Sequence, residues 1–501
     1  MTTVLEREAL DAAPPVLGPV RRTIRDHPYL VVFVVALVIR IAMAVVLSSY
    51  AEGLVADDGT YDQIARSKAA GQSGAWDPYT SQLFRDTATF SGPLWIVYEL
   101  TGSRAIFGQL MVALVGALVA VGSARFARNL VGPGLSLAIG LTMALFPSLV
   151  LWSSLTLKDS FVWLAALAIA GAVVSVLDAE GRARVGWMAV LTVLLFATAH
   201  LRAHSFVVVC MALALVALVH VRRDPRLALA LLAIGTLVPL VDGKGPVGVS
   251  YAASRGSLEV RRYQNAVGAE TAIVPVVDPD APVEVPTSNT ASTVVAGDDP
   301  AEPVEPTDPD EPGSTPGPTS DASGGPSTTR VPRTSTTTRA GSGGPATSRV
   351  PRTSTSTTAA PPIADPEVEV EVSRVGGVSS DLKYLPHGLR VMLLDPLPWE
   401  PIDNSRVRLA LLENLLWYPM LLLAVAGLAL AGWRNRRWLL FPVFYGGGMV
   451  VLYALSEGNF GTAYRHRSEV MWVVVILAGV GVHELRARRL HRRTEADSGT
   501  A

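Results

Sequence analysis

The chain has 501 residues, of which half are hydrophobic and only 17% are charged. Its charges avoid long apolar windows and gather between them, which is the pattern of a polytopic membrane protein and gives no footing for a nucleic-acid partner. The net charge of −1 averages a membrane body and a loop and so identifies no partner, and the one cysteine, Cys210, lies inside an apolar run and excludes a disulfide framework.

In chain order, ten apolar runs approach the roughly 20 residues that a bilayer crossing needs. They are 29–50, 104–125, 133–153, 158–177, 186–200, 204–221, 227–242, 406–431, 438–456 and 467–485, the fifth and seventh being short. The first has no small-residue cleavage site after it and reads as a retained span. Basic residues set orientation. Arg21, Arg22 and Arg25 precede the first run, and five further arginine clusters follow the second, fourth, sixth, eighth and tenth. With ten spans all six clusters fall on one side, which makes both termini cytoplasmic in a multi-pass cell-membrane protein.

The expected class is therefore all-α, with about ten transmembrane helices, in this order: a cytoplasmic tail 1–28; a membrane domain 29–242 of about seven helices with a first outer loop 51–103; an extracytoplasmic loop 243–380; an interfacial element and the last three helices over 381–485; and a cytoplasmic tail 486–501. From about 270 to 366 the long loop is rich in Pro, Ser, Thr, Gly and Asp. It repeats itself, "GGPSTTRVPRTSTTT" returning as "GGPATSRVPRTSTST". Such a composition cannot bury enough apolar surface to offset chain entropy, and it reads as disordered. Residues 381–405 turn apolar and aromatic again and read as an amphipathic element at the membrane interface.

Chemistry gathers on the outer side. "ADDGTYDQIARSKAAG" follows the first span and opens with two carboxylates, Asp57 and Asp58. Such a pair serves as a general base, as a cation site or as plain solvated loop. Helical spacing puts Tyr61, Ile64 and Ala65 on one face of a short helix over 60–70, with the carboxylates at its dipole-favoured start. Residues 84–101 read as a partly embedded helix, not a span. "SSLTLKDS" presents Lys158 and Asp159, "AHLRAHS" presents His200, Arg202 and His204, and "SEGNFGTAYRHR" presents Arg465, His466 and Arg467. His200 and His204 have a metal-pair spacing, but Arg202 stands between them and no third soft ligand is apparent. Arg40 near the middle of the first span must face the interior, with Glu413 of the eighth as its expected counter-ion.

The stretch "DDGTYDQIARSKAAG" resembles the acidic first-loop motif of the GT-C superfamily of integral-membrane glycosyltransferases, in the branch of bacterial family 39 and protein O-mannosyltransferase-like enzymes. Asp57 matches the first acid of Asp-Glu-x-x-Tyr, Asp58 stands in place of the usual Glu, and Tyr61 matches the aromatic. "SGPLWIVYELTGSRAIFGQLMVALVGALVAVGSARFARNLVG", "FPSLVLWSSLTLKDS" and "GTAYRHRSEVMWVVVILAG" are similar to later family segments, the last entered through an Arg-rich turn. The resemblance covers 29–240, and 405–485 loosely. It implies transfer of a sugar from a polyprenyl-phosphate donor to a hydroxyl of a glycan, lipid or protein acceptor at the outer leaflet, with inversion. Asp57 would be the base and Asp58 would orient the acceptor or hold a cation. Tyr61, Lys158, Asp159, Arg202, His204, Arg465 and Arg467 would bind substrate. The resemblance names no certain cofactor and leaves a divalent cation open. The competing readings are a glycan polymerase or ligase using a polyprenyl-diphosphate-linked oligosaccharide, a transporter, and a non-catalytic scaffold.

Overall fold

The computed structural model describes residues 26–50, 56–241, 378–399, 405–431, 436–457 and 460–498, with side chains described over 26–48, 59–236, 382–399, 410–431, 437–457 and 460–495. The repeat-bearing stretch 270–366 lies outside the described residues. Those that are described form fifteen α-helices, one short 3-10 turn and no strand.

The helices are α1 Pro28–Tyr50, α2 Ala56–Ala69, α3 Pro78–Asp86, α4 Ala88–Thr101, α5 Ala105–Val131, α6 Pro133–Leu145, α7 Pro147–Trp152 and α8 Asp159–Asp178. They continue as α9 Gly181–Ala199, α10 Ala203–His220, α11 Pro225–Val241, α12 Val378–Leu393, α13 Ser405–Ala431, α14 Arg436–Ser456 and α15 Phe460–Ser498. Eight of them are long and apolar enough to cross a bilayer: α1, α5, α8, α9, α10, α13, α14 and α15. The chain is thus a multi-pass membrane protein by the length and composition of its helices. The fifth apolar run, short in sequence, is the 19-residue α9, whereas the third and seventh correspond to the shorter apolar helices α6 and α11.

The third run is shortened because it is broken. Pro147 has no N–H and forces the residue before it out of helical geometry, and Phe146 is extended at φ −64°, ψ 124°. The break leaves the carbonyls of Met143 and Ala144 without their ordinary partners. Arg40 supplies them, at 3.0 Å and 2.9 Å, and also donates to Ser153 Oγ at 2.7 Å. On the other side of the break the Ser148 N–H donates to Glu413 Oε2 at 2.7 Å. Glu413 is therefore not the counter-ion of Arg40, as the sequence suggested. The two residues stitch opposite ends of one helix break, and Tyr464 OH adds a second bond to Glu413 at 2.7 Å. Gly116 leaves room for the Arg40 guanidinium, since a Cβ there would run into Arg40 Nε and Ser153.

After α1 the chain folds a cap of short helices. Tyr61, Ile64 and Ala65 are all buried, as the helical spacing predicts, although the helix begins at Ala56. Their face packs on Phe90, Leu94 and Tyr98 of α4, with Tyr61 edge-on to Phe90 at 5.4 Å and Phe90 edge-on to Phe161 of α8 at 5.3 Å. Tyr98 OH donates to Asp62, which also pairs with Arg66 at 2.6 Å. Asp77 caps α3, and bonds from the Thr80 hydroxyl and N–H hold its carboxyl below the usual range. Lys68 Nζ sits 4.3 Å from the ring of Phe84 and 4.7 Å from that of Trp95. At 14 residues with Pro93 inside, α4 caps the bundle and is too short to span.

The last helices form the other wall. α13 crosses α15 closely because Gly427 and Gly481 each sit against the partner's backbone, where a side chain would meet Leu477 O or Leu423 O. The amphipathic α12 lies on α14, and Gly388 permits it, since a Cβ there would fall on Ala454 O. Arg465 and Arg467 are in the first two turns of the 39-residue α15, not in a turn before it.

Candidate functional site

The sequence spreads its candidate residues over four segments that together span residues 57–467. The bundle gathers most of them at one end, where α8 and α10 begin and α14 and α15 meet. The opposite end is marked by Asp178–Arg437 at 3.1 Å and Arg184–Asp224 at 2.9 Å.

Asp159 is the centre. It opens α8, is 1% exposed, and accepts from two arginines on other helices. Arg202 Nη2 reaches Oδ1 at 2.6 Å, and Arg465 reaches Oδ2 through Nη2 at 2.7 Å and Nε at 3.0 Å. Arg202, at the start of α10, also bridges to Glu469 of α15 at 2.8 Å. Two carboxylates and two guanidiniums thus balance inside the protein, as buried charges must.

Glu469 is as deeply placed as Asp159 and is saturated. It accepts from Arg202, from Tyr453 OH at 2.6 Å, from Tyr445 OH at 3.0 Å and from Ser205 Oγ at 2.5 Å. His204 bonds through Nε2 to Tyr453 OH at 3.0 Å. His466 stacks on Tyr453 with ring centres 4.2 Å apart, and its Nδ1 meets Glu457 Oε1 at 2.6 Å. Lys158 stands half-buried next to Asp159, its ammonium 5.1 Å from the centre of the Tyr61 ring. That contact brings α2 to the cluster.

The structure therefore unites Tyr61, Lys158, Asp159, Arg202, His204 and Arg465. Asp57 and Asp58 lie in the first turn of α2, and their side chains fall outside the described residues. Arg467 is a correction, because it belongs elsewhere. Its guanidinium donates to Met392 O at 2.9 Å, Asn414 Oδ1 at 2.8 Å and Asp395 O at 2.6 Å, and lies 5.4 Å from the Trp417 ring. With its fork spent on the end of α12, the chain just after it and α13, it fastens those elements together. One residue separates it from Arg465, and on a helix that turns the two side chains some 200° apart.

Sequence reasoning did not single out Glu469, Glu457, Tyr445 or Tyr453. Glu469 carried a signal, being an acid two residues inside the expected tenth span, and an intramembrane acid is a functional candidate by default. The tyrosines carried none, because a hydroxyl in an apolar run becomes informative only when its partner is known. Among the described residues no group of three His, Cys, Asp or Glu side chains is arranged to hold a metal ion. No protein-family model, curated protein or solved structure matches the chain.

Proposed function

We propose that this chain is an integral-membrane glycosyltransferase. It moves a sugar from a polyprenyl-phosphate-linked donor to an acceptor hydroxyl on the extracytoplasmic face, with inversion. The observation that carries the reading is the convergence of Asp159, Arg202 and Arg465 from three separate helices, next to Lys158 and Tyr61 of the helix that begins with the Asp57–Asp58 pair.

In this reading Asp57 takes the proton of the acceptor hydroxyl, whose oxygen attacks the anomeric carbon as the bond to the phosphate oxygen breaks. Charge grows on the phosphate. A site answers that charge best with donors fixed before the reaction, since no reorganisation is then needed. Asp159 and Glu469 fix Arg202 and Arg465 in this way, and Lys158 adds one further positive charge. The arginines act as oriented hydrogen-bond donors within a balanced array, not as bare cations.

The buried charges also favour a second reading, a transporter, because Asp159, Arg202, Arg465 and Glu469 add to Arg40 and Glu413 as ionisable groups within the helical body. One experiment separates the two. Membranes carrying the protein are incubated with synthetic polyprenyl-phosphate sugars and an extract of envelope acceptors, and released polyprenyl phosphate is measured. Release that depends on the protein supports transfer. Movement of the intact donor across the bilayer without release supports transport.

A further inference from the structure

Glu457 and His466 form a carboxylate–imidazole pair that the mechanism above leaves unused. Glu457 directly follows α14 and is 5% exposed, and the His466 side chain is 13% exposed. With Glu457 Oε1 as the acceptor of this 2.6 Å contact, the hydrogen is on Nδ1. The nitrogen left to exchange protons is Nε2. The ring is fixed a second time by its stack on Tyr453, at an interplanar angle of 12°. A histidine held on its edge and on its face is oriented for one task.

Its place indicates which task. His466 follows Arg465, is within electrostatic range of Asp159, and stands 6.2 Å from the His204 ring. It belongs to the wall of α14 and α15, among the guanidiniums. In an inverting displacement the base and the leaving group occupy opposite faces of the sugar. With the base on α2, the group beside the arginines faces the departing oxygen.

The geometry points to His466 as the proton donor to the departing phosphate of the transfer proposed above, with Glu457 as its positioning residue; the inference rests on that reading. The step balances as follows. The acceptor oxygen forms a bond to the anomeric carbon and gives its proton to Asp57. The bond from that carbon to the phosphate oxygen breaks, its electron pair staying on oxygen. The imidazolium of His466 gives its Nε2 proton to that oxygen and becomes the neutral ring with Nδ1–H still on Glu457. The ligand at this wall is thus a phosphate that leaves protonated.

The full-length protein is assayed with one polyprenyl-phosphate sugar from about pH 5.5 to pH 9. The ring meets Glu457 and Tyr453 of the α14 wall and stands 6.2 Å from His204 of α10; behind these lie Asp159 with Arg202 and Arg465, Glu469 bonded to Tyr453, and Tyr384 of α12, whose hydroxyl donates to Glu457 O at 3.2 Å. A donor must be protonated to act, so wild-type kcat should fall as pH rises. His466→Gln should lower kcat by about 10²-fold near neutrality, leave the donor KM close to wild type and remove that alkaline fall. Glu457→Gln should lower kcat by a smaller factor and keep the fall. An unchanged kcat and an unchanged alkaline fall in His466→Gln overturn the assignment. Should either variant fail to fold, wild type with a phosphorothioate donor gives the same test, because a less basic leaving group needs the proton less and the alkaline fall should weaken; an identical profile overturns it. No release by wild type from any donor overturns the transferase reading itself.

Discussion

Asp159→Asn tests the buried charge balance directly. The carboxylate is 1% exposed and accepts three bonds, one from Arg202 and two from Arg465. The substitution keeps the volume and one carbonyl oxygen but removes the charge, leaving two guanidiniums facing Glu469 alone. Removing one partner of a buried pair costs about 3–5 kcal/mol. Here Glu469 still compensates Arg202, so the loss falls mainly on Arg465 and the lower end, about 3 kcal/mol, is expected. That is roughly a hundredfold in the folded-to-unfolded ratio. Adding Arg465→Gln restores the balance, and the double variant should be more stable than the sum of the singles by about 1–3 kcal/mol. The assay is reversible unfolding in mixed micelles, following helicity, for the four members of the cycle. Asp159→Asn within about 0.5 kcal/mol of wild type, or strict additivity in the cycle, would refute the view that these groups depend on one another.

Arg467→Ala should free the end of α12 and the segment after it, seen as faster amide exchange over 391–399, with little change in α8 or α10; uniform protection would deny its role as a fastener. Gly388→Ala should separate α12 from α14, because backbone rather than a movable side chain blocks the new methyl, and a cysteine cross-link between those helices should then lose yield. Arg40→Met should leave the Met143 and Ala144 carbonyls without donors at about 1–3 kcal/mol each, partly offset by about 2.5–3.5 kcal/mol for no longer burying a charge. Its net effect should therefore be smaller than that of Asp159→Asn, and a larger loss would contradict the calculation.

Much of the fold was legible because the sequence carries its own period. Eight of the ten apolar runs correspond to helices long enough to span, and the three-and-four spacing of Tyr61, Ile64 and Ala65 matched the buried face of α2. Pro147 was equally visible, but its consequence was not. A helix break in an apolar body needs donors and acceptors from elsewhere, and only the fold shows that Arg40 and Glu413 supply them from opposite sides. The site was legible in part for the same reason. Lys158, Asp159, Arg202 and Arg465 stood at ends of spans, where charge in an apolar chain is conspicuous. Arg467 is chemically indistinguishable from Arg465 in sequence, and helix rotation alone sends the two to different tasks. Glu469 was visible as an acid inside the tenth run, but its role was not legible because its charge partner, Arg202, lies 267 positions away.

The central claim is that the carboxylates opening α2 drive sugar transfer at the Asp159–Arg202–Arg465 cluster. It is tested most directly by turnover of matched amounts of wild type, Asp57→Asn and Asp58→Asn protein with a polyprenyl-phosphate sugar and its acceptor. Asparagine keeps the size of the side chain but cannot take a proton, and loss of a general base costs about 10²–10⁴-fold. The account predicts a product of inverted configuration from wild type, a loss of that size in Asp57→Asn with donor binding retained, and a smaller loss in Asp58→Asn. Near-normal turnover by Asp57→Asn, or a product of retained configuration, would contradict it.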